Sequence, residues 1–520
     1  MQSLNPIMKT DYPDPDVIRV GNAYYMVSTT MYFFPGCAIL RSYDLVNWEI
    51  VNYVFDKLED SSAENLEREE SIYGHGMWAP TLRFHNGIYY IAFSSVDIKK
   101  TYFFTTDDIE KGKWEKHYMD GFFHDLSLLF DDDGRVYVTY GNGDIWITEL
   151  EPDLSAIKEG GLSKIIISDT DDVYLRYEGS HIYKIDGYYY IFLIHWPKSA
   201  GMRTQVVYRA SDLNGEFERR DLVIDDIGNP GRGVAQGGIV DTPDGSYVAY
   251  LFQDCGAVGR VPVIVPLTFK DGFPYVSDDL KIPSEKNIKK FLEKQNLAKD
   301  HKYDKLYTSD DFKYDVTMTS HPDLKMQWQW NHLPCDSGWK IKHEGGLEIK
   351  NTKIATNLVH ARNMLTQRMM MPKCSATVTI DVSGIKDGDV AGICAMQGCY
   401  GLVGVRNQSF QKELVVMVRK KEEVDRFDKR IDYMPGNVVF SRIINTDVVK
   451  LKICADFTGG KDTAYFYYDA GDGMIDTGVS HKLHFGLDHF TGCRFGLFNF
   501  ATKQPGGKAV FNDFEYEAED

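Results

Sequence analysis

The sequence lacks the long apolar run, the basic excess and the paired cysteines that mark several large classes of protein. No stretch approaches the roughly 18 consecutive apolar residues that a membrane-spanning helix requires, so no membrane partner is expected. The N-terminus, Met1-Gln2-Ser3-Leu4, opens directly into polar sequence without a signal-like apolar stretch. Cytoplasmic and periplasmic or secreted locations are both compatible with that. With 58 Lys and Arg against 76 Asp and Glu, the formal net charge is -18, and a chain with so little basic excess is not expected to take a nucleic-acid partner. The eight cysteines stand at 37, 255, 335, 374, 394, 399, 454 and 493, with no CxxC pair and no metal-ligand spacing. Buried free thiols are expected. A homo-oligomer is neither required nor excluded.

Aromatic residues, by contrast, are plentiful: 32 Tyr, 29 Phe and 8 Trp in 520 residues, which suits a β-rich protein and a sugar ligand. They recur in a pattern. A short apolar strand, a turn and an aromatic-rich return strand appear as VIRVGNAYYMVS (17–28), LRFHNGIYYIAF (82–93), LLFDDDGRVYVTY (128–140), IYKIDGYYYIFL (182–193) and IVDTPDGSYVAYLF (239–252). Five such units at blade-like spacing predict a five-bladed β-propeller. Outer blade strands are expected in ILRSYDLVNWE (39–49), FFTTDDIEKGKWE (103–115) and VVYRASDLNGEFE (206–218). A plain antiparallel sandwich would share the strands but not the recurrence of the whole unit.

The repeat stops before PSEKNIKKFLEKQNLAKD (283–300), a charged, helix-permissive linker. Beyond it, SATVTIDVSG, DVAGICAMQ, ELVVMVRK, VVKLKICADF, TAYFYYDAG and AVFNDFEYEAE read as short antiparallel strands of a β-sandwich. The chain is thus all-β, with a propeller over residues 1–300 and a sandwich over 301–520.

In a propeller the first strand of each blade lines the axis, so equivalent residues of different blades converge. Counting back from each hairpin reaches Asp14, Trp78, Asp125, Glu178 and Gln236 at matching positions, Asp14 one residue out of register. Three carboxylates would meet, and glycosidic hydrolysis needs two: an acid for the leaving oxygen and a carboxylate for water or direct attack. The third, crowded against the proton donor, would raise its pKa. Asp14 in YPDPD is also explicable as a solvated turn residue, and Asp131, Asp132 and Asp133 read as ordinary hairpin-turn residues.

The stretches NPIMKTDYPDPDVIRVGNAYYMVSTTMYFFPG, MWAPTLRFHNGIYY, DLSLLFDDDGR and YEGSHIYKIDGYYY resemble the motifs of glycoside hydrolase family 43. QWQWNH, HARNMLTQR and CSATVTIDVSGIKDGDVAG are similar to the lectin-like sandwich of that family's two-domain β-xylosidases and α-L-arabinofuranosidases. The resemblance implies an inverting exo-hydrolase with Asp14 as general base, Glu178 as general acid and Asp125 as pKa modulator. It implies an aromatic pocket wall of Trp78, Phe33 and Phe34, and an axial arginine at Arg260. It also implies that a loop in LHFGLDHFTGCRFGLFNF (483–500) reaches the funnel and shortens it, although the alternation in RFGLFNF equally fits a sandwich core. Many members place a His at the axis to help hold calcium or water; here the position is Gln236. No cofactor is required on this reading, and a calcium ion at Gln236 is a secondary expectation.

The expected activity is release of terminal xylose or arabinofuranose from xylo-oligosaccharides or arabinoxylan. A retaining enzyme of the fructoside-cleaving type would need carboxyl groups only about 5–5.5 Å apart. A non-catalytic carbohydrate-binding protein would use the acids merely as hydrogen-bond acceptors.

Overall fold

A computed structural model describes residues 4–295, 297–298, 300–420 and 434–519. Residues 1–3 and, within the expected linker, Asn296 and Lys299 lie outside the described residues, as do 421–433 in the sandwich.

Each recurring unit found in the sequence forms the first two strands of a four-stranded antiparallel blade, and the five blades follow one another in chain order. Blade 1 runs from Asp16–Val20 to Glu49–Phe55, and blade 5 from Ile239–Asp241 to Phe273–Tyr275. The ring is closed by the N-terminal segment, which lies along the third strand of blade 5. The Ile7 amide donates to the Pro262 carbonyl at 3.1 Å and the Tyr12 amide to that of Arg260 at 3.0 Å. The Asn5 side chain brackets Ile264 with two further bonds of 2.8 and 3.0 Å.

Below the axial opening, Asp16 is fully buried and accepts from the Leu82 amide and the Arg83 guanidinium, each at 2.8 Å. Arg83 in turn bonds Ser127 Oγ at 2.7 Å and the Leu128 carbonyl at 2.8 Å. One ion pair therefore ties blades 1, 2 and 3, and its polar atoms are satisfied as burial demands. Asp131 corrects an expectation. It does sit in a hairpin turn, but it is buried and accepts from Tyr189 Oη at 2.5 Å and from Lys184, so it staples blade 3 to blade 4.

The linker contains the helix Glu285–Lys294, whose Ile288, Phe291 and Leu292 pack on the apolar cluster between blades 1 and 5. Residues 301–304 still follow blade 1, with the His301 ring 2.7 Å from Glu49. The sandwich proper packs a seven-stranded sheet on an eight-stranded one, with Val378, Leu451, Ile453 and Phe466 facing Ile393, Val403, Leu414 and Val416. Its Arg494–Ala501 strand alternates Phe495 and Leu497 into this core and Phe498 and Phe500 onto the opposite face.

The edge strand of the larger sheet comes from the propeller. Phe33–Phe34, in the loop between the second and third strands of blade 1, pairs with Gln329–Asn331 of the sandwich. These two phenylalanines were expected to line the sugar pocket. Instead each is 2% exposed, in the seam between the domains. The Arg494 guanidinium lies 3.4 Å over the Phe33 ring, and that of Arg368 lies 4.3 Å over Tyr12. A strand needs a partner edge, and here the sandwich provides it.

Candidate active site

At the mouth of the propeller axis, Asp14, Trp78, Asp125, Glu178, Gln236 and Arg260 line one cavity of about 710 Å³. The blades share a device for aiming these side chains. In each blade one residue at the axial end of the inner strand has positive φ: Asp14 at 53°, Ala79 at 31°, Asp125 at 48°, Gly179 at 65° and Gln236 at 62°. This corrects the register read from the sequence. Asp14, Asp125 and Gln236 occupy the left-handed position, whereas Trp78 and Glu178 precede it by one residue, next to register shifts in their strands. Left-handed backbone is costly for residues other than glycine, so its recurrence at the axis marks a functional constraint. At Gly179 a side chain is also excluded sterically, because a Cβ would stand 2.6 Å from Gln236 Cγ.

Asp14 is held on both oxygens. Thr29 Oγ1 donates to its Oδ2 at 2.7 Å, and Arg260 Nη1 lies 3.0 and 3.3 Å from Oδ1 and Oδ2. Burial pushes its pKa up, Arg260 pulls it down, and Asp125 adds a smaller upward push. Asp125 has a side chain only 7% exposed. Its Oδ2 accepts from the Gly179 amide at 3.0 Å and from Gln236 Nε2 at 3.3 Å. Burial raises its pKa too, with His124 opposing and Glu178 reinforcing the rise.

Glu178 shows a different arrangement. Both described donors, Asn142 Nδ2 at 2.5 Å and His124 Nε2 at 3.2 Å, act on Oε2, so Oε1 takes none of the described hydrogen bonds. Burial works against a charged His124, but the Asp125 carboxylate and the contact with Glu178 outweigh it and push its pKa to about 9. The imidazolium is therefore the dominant form at neutral pH, between two acids.

His124 and Asn142 are residues that sequence reasoning missed. His124 adjoins Asp125 in FHDLS and carried a signal; Asn142 ends a second strand, outside the inner-strand positions used as a ruler. The same three side chains, His124, Asp125 and Glu178, have ligand atoms within 4.8 Å of one another and are the described group best placed to hold a cation. They are also the acid cluster. Gln236 turns its amide nitrogen toward Asp125 Oδ2 at 3.3 Å, so of its side-chain atoms the amide oxygen is the one that could ligate a cation.

The sandwich supplies the remaining wall. Leu487, Asp488, His489 and Phe490, within the 483–500 segment, enter the cavity together with His360. The Phe490 ring covers the Arg260 guanidinium at 4.3 Å and meets Trp78 edge-on at 5.7 Å. The loop is pinned to the propeller: His489 stacks on Tyr73 at 3.9 Å, and the Gly492 amide donates to Asp11 Oδ2 at 3.0 Å. Only glycine permits that approach, since a Cβ at 492 would lie 1.9 Å from the Val258 carbonyl oxygen. Glu69, Glu70, Ser71, Tyr73, Gly74 and His75 of the loop before blade 2, which sequence reasoning did not single out, also line the cavity, with Tyr73 against the sandwich loop.

Comparison with known proteins matches both halves of the chain. Residues 3–274 match the profile of glycosyl hydrolases family 43, and residues 319–517 that of the beta xylosidase C-terminal concanavalin A-like domain. A beta-xylosidase of Formosa agariphila is 27% identical over 577 residues, covering 99% of this chain and 90% of that protein. A non-reducing end alpha-L-arabinofuranosidase of Bacteroides ovatus is 24% identical over 459 residues, covering 84% of this chain and 82% of its own. Among solved structures, a bifunctional GH43-CE protein of Bacteroides eggerthii superposes with a TM-score of 0.89 at 38% identity. That alignment covers 99% of this chain but 64% of the other, so the chain spans under two thirds of that relative. A family 43 glycoside hydrolase engineered to display endo-xylanase and exo-arabinofuranosidase activity superposes with a TM-score of 0.85 at 28% identity, covering 99% of each chain.

Proposed function

Because the chain belongs to glycoside hydrolase family 43, we propose that it is an exo-acting, inverting enzyme that removes terminal β-xylose or α-L-arabinofuranose from xylo-oligosaccharides or arabinoxylan. The observation that carries this reading is the meeting of Asp14, Asp125 and Glu178 in one cavity that the 487–490 loop of the sandwich walls in. A walled cavity admits a chain end rather than a chain middle.

In the proposed mechanism the terminal sugar enters against the wall formed by Trp78 and Phe490. Asp14, whose ionised form Arg260 and Thr29 favour against burial, takes the proton of a water as that water attacks the anomeric carbon. Glu178 delivers the proton on Oε1 to the leaving oxygen, while His124 and Asn142 hold Oε2 and fix the carboxyl orientation. Asp125 orients the Glu178 segment by accepting from the Gly179 amide. No step is routed through a metal.

The test is a panel of 4-nitrophenyl glycosides with the product anomer followed by NMR. Release of pentose with inverted configuration is expected. Retained configuration would instead require a nucleophilic carboxylate and the closer acid spacing of that mechanism.

A further inference from the structure

The inner strand of blade 4, Val173–Ile185, is 13 residues long and begins five residues before Glu178, whose side chain lines the cavity. Two register shifts between Val173 and Glu178 interrupt the regular alternation of this stretch, and exposure sets its outward residues: Tyr177 is buried, whereas Tyr174 is 66% exposed and the Arg176 side chain 51%. Tyr174 belongs to none of the described apolar core clusters. Its only described ring neighbour is Trp196 on the adjoining strand, at 5.5 Å and edge-on, which braces the Tyr174 ring. Arg176 lies across Gly143, where a Cβ would come within 3.0 Å of its Cδ, and Gly143 directly follows Asn142, the donor to Glu178. Arg176, which also pairs with the exposed Asp171 at 2.6 Å, is thus joined through Gly143 to the Asn142–Glu178 pair at the cavity, and Tyr174 stands in solvent about 13 Å of strand from Glu178.

We propose that Tyr174 and Arg176 form a subsite for the leaving-group end of a pentose oligosaccharide, beyond the sugar whose oxygen Glu178 protonates. This rests on the assignment of Glu178 as the acid, because the leaving oxygen must face the proton donor and the rest of the leaving chain must extend from there. The flat apolar face of a pyranose ring suits stacking on Tyr174, and hydroxyl groups suit the Arg176 guanidinium.

The experiment compares 4-nitrophenyl β-xyloside with xylobiose and xylotetraose, and the corresponding arabinoside series, in wild type, Tyr174→Ala and Tyr174→Phe. Tyr174→Ala should raise KM for the four-sugar substrate roughly 3–10-fold with kcat retained. The penalty should shrink as the chain shortens, and Tyr174→Phe should restore the wild-type value. In a Glu178→Gln background, calorimetric titration with the four-sugar oligosaccharide should weaken by the same factor when Tyr174→Ala is added. An equal effect on all substrates, or none on the longest, would overturn the subsite while the activity itself stood. A wild-type protein inactive on every pentoside would overturn the functional reading and the subsite with it.

Discussion

The propeller and the sandwich are built from the same material, antiparallel strands with short turns, yet they contribute to the cavity in opposite ways. Every propeller blade ends its inner strand in a left-handed residue, and those ends carry Asp14, Asp125 and Gln236, with Trp78 and Glu178 one position before. Repetition around an axis turns five local features into one site. The sandwich has no axis. Strands such as Arg494–Ala501 bury both faces, and the sandwich reaches the cavity through connecting segments, the 487–490 loop and His360. Radial repetition concentrates polar side chains, whereas layered packing excludes them and leaves function to loops.

The comparison is broken most severely by removing the propeller's two principal acids. Asp14→Asn and Glu178→Gln should each lower kcat/KM on the order of 10²–10⁴-fold or more with the fold intact by circular dichroism. Substrates with good leaving groups should partly rescue Glu178→Gln and not Asp14→Asn; wild-type rates in either variant would refute the roles. Truncation after residue 300 is expected to yield insoluble or nearly inactive protein on short xylo-oligosaccharides. It would strip the partner strand from Phe33–Phe34 and the loop wall from the cavity. A soluble propeller of undiminished activity would make the sandwich dispensable.

Milder changes sharpen the division. Phe490→Ala removes the ring over Arg260 and should cost roughly 3–30-fold in kcat/KM, as a partly desolvated cation–π contact would. Arg260→Ala should shift the acid limb of the kcat/KM profile to higher pH. Arg260 favours ionised Asp14, so without it the Asp14 pKa rises further and the base is lost earlier as pH falls. An unmoved limb, whatever the loss in rate, would show that Asp14 is not the titrating base. The smallest effect is expected from EDTA, which should leave kcat and Tm within error. A loss restored by calcium would place a metal in the site after all.

Some of this was legible without coordinates and some was not. The hairpin repeat located the five blades and pointed to Asp14, Trp78, Asp125, Glu178 and Gln236, because each is a short fixed distance from a recognisable turn. The same ruler misjudged the register, since bulges at Trp78 and Glu178 insert residues that no local signal announces. Phe33 and Phe34 looked like pocket aromatics, but aromatic character fits a seam as well as a sugar. Asn142 carried no signal, because a polar residue ending a second strand is unremarkable until its neighbour is known.

What the sequence by itself determined is the kind of unit: alternating strands, turns at regular spacing, and acids at the head of inner strands, all encoded within a few residues of one another. What only the tertiary structure decided is the pairing of distant parts. It set Arg260 against Asp14, His124 and Asn142 against Glu178, Phe490 over Arg260, and a propeller strand onto a sandwich sheet. Those contacts join residues far apart in the chain, and they exist because ring closure and domain docking bring their surfaces together, which no local propensity specifies.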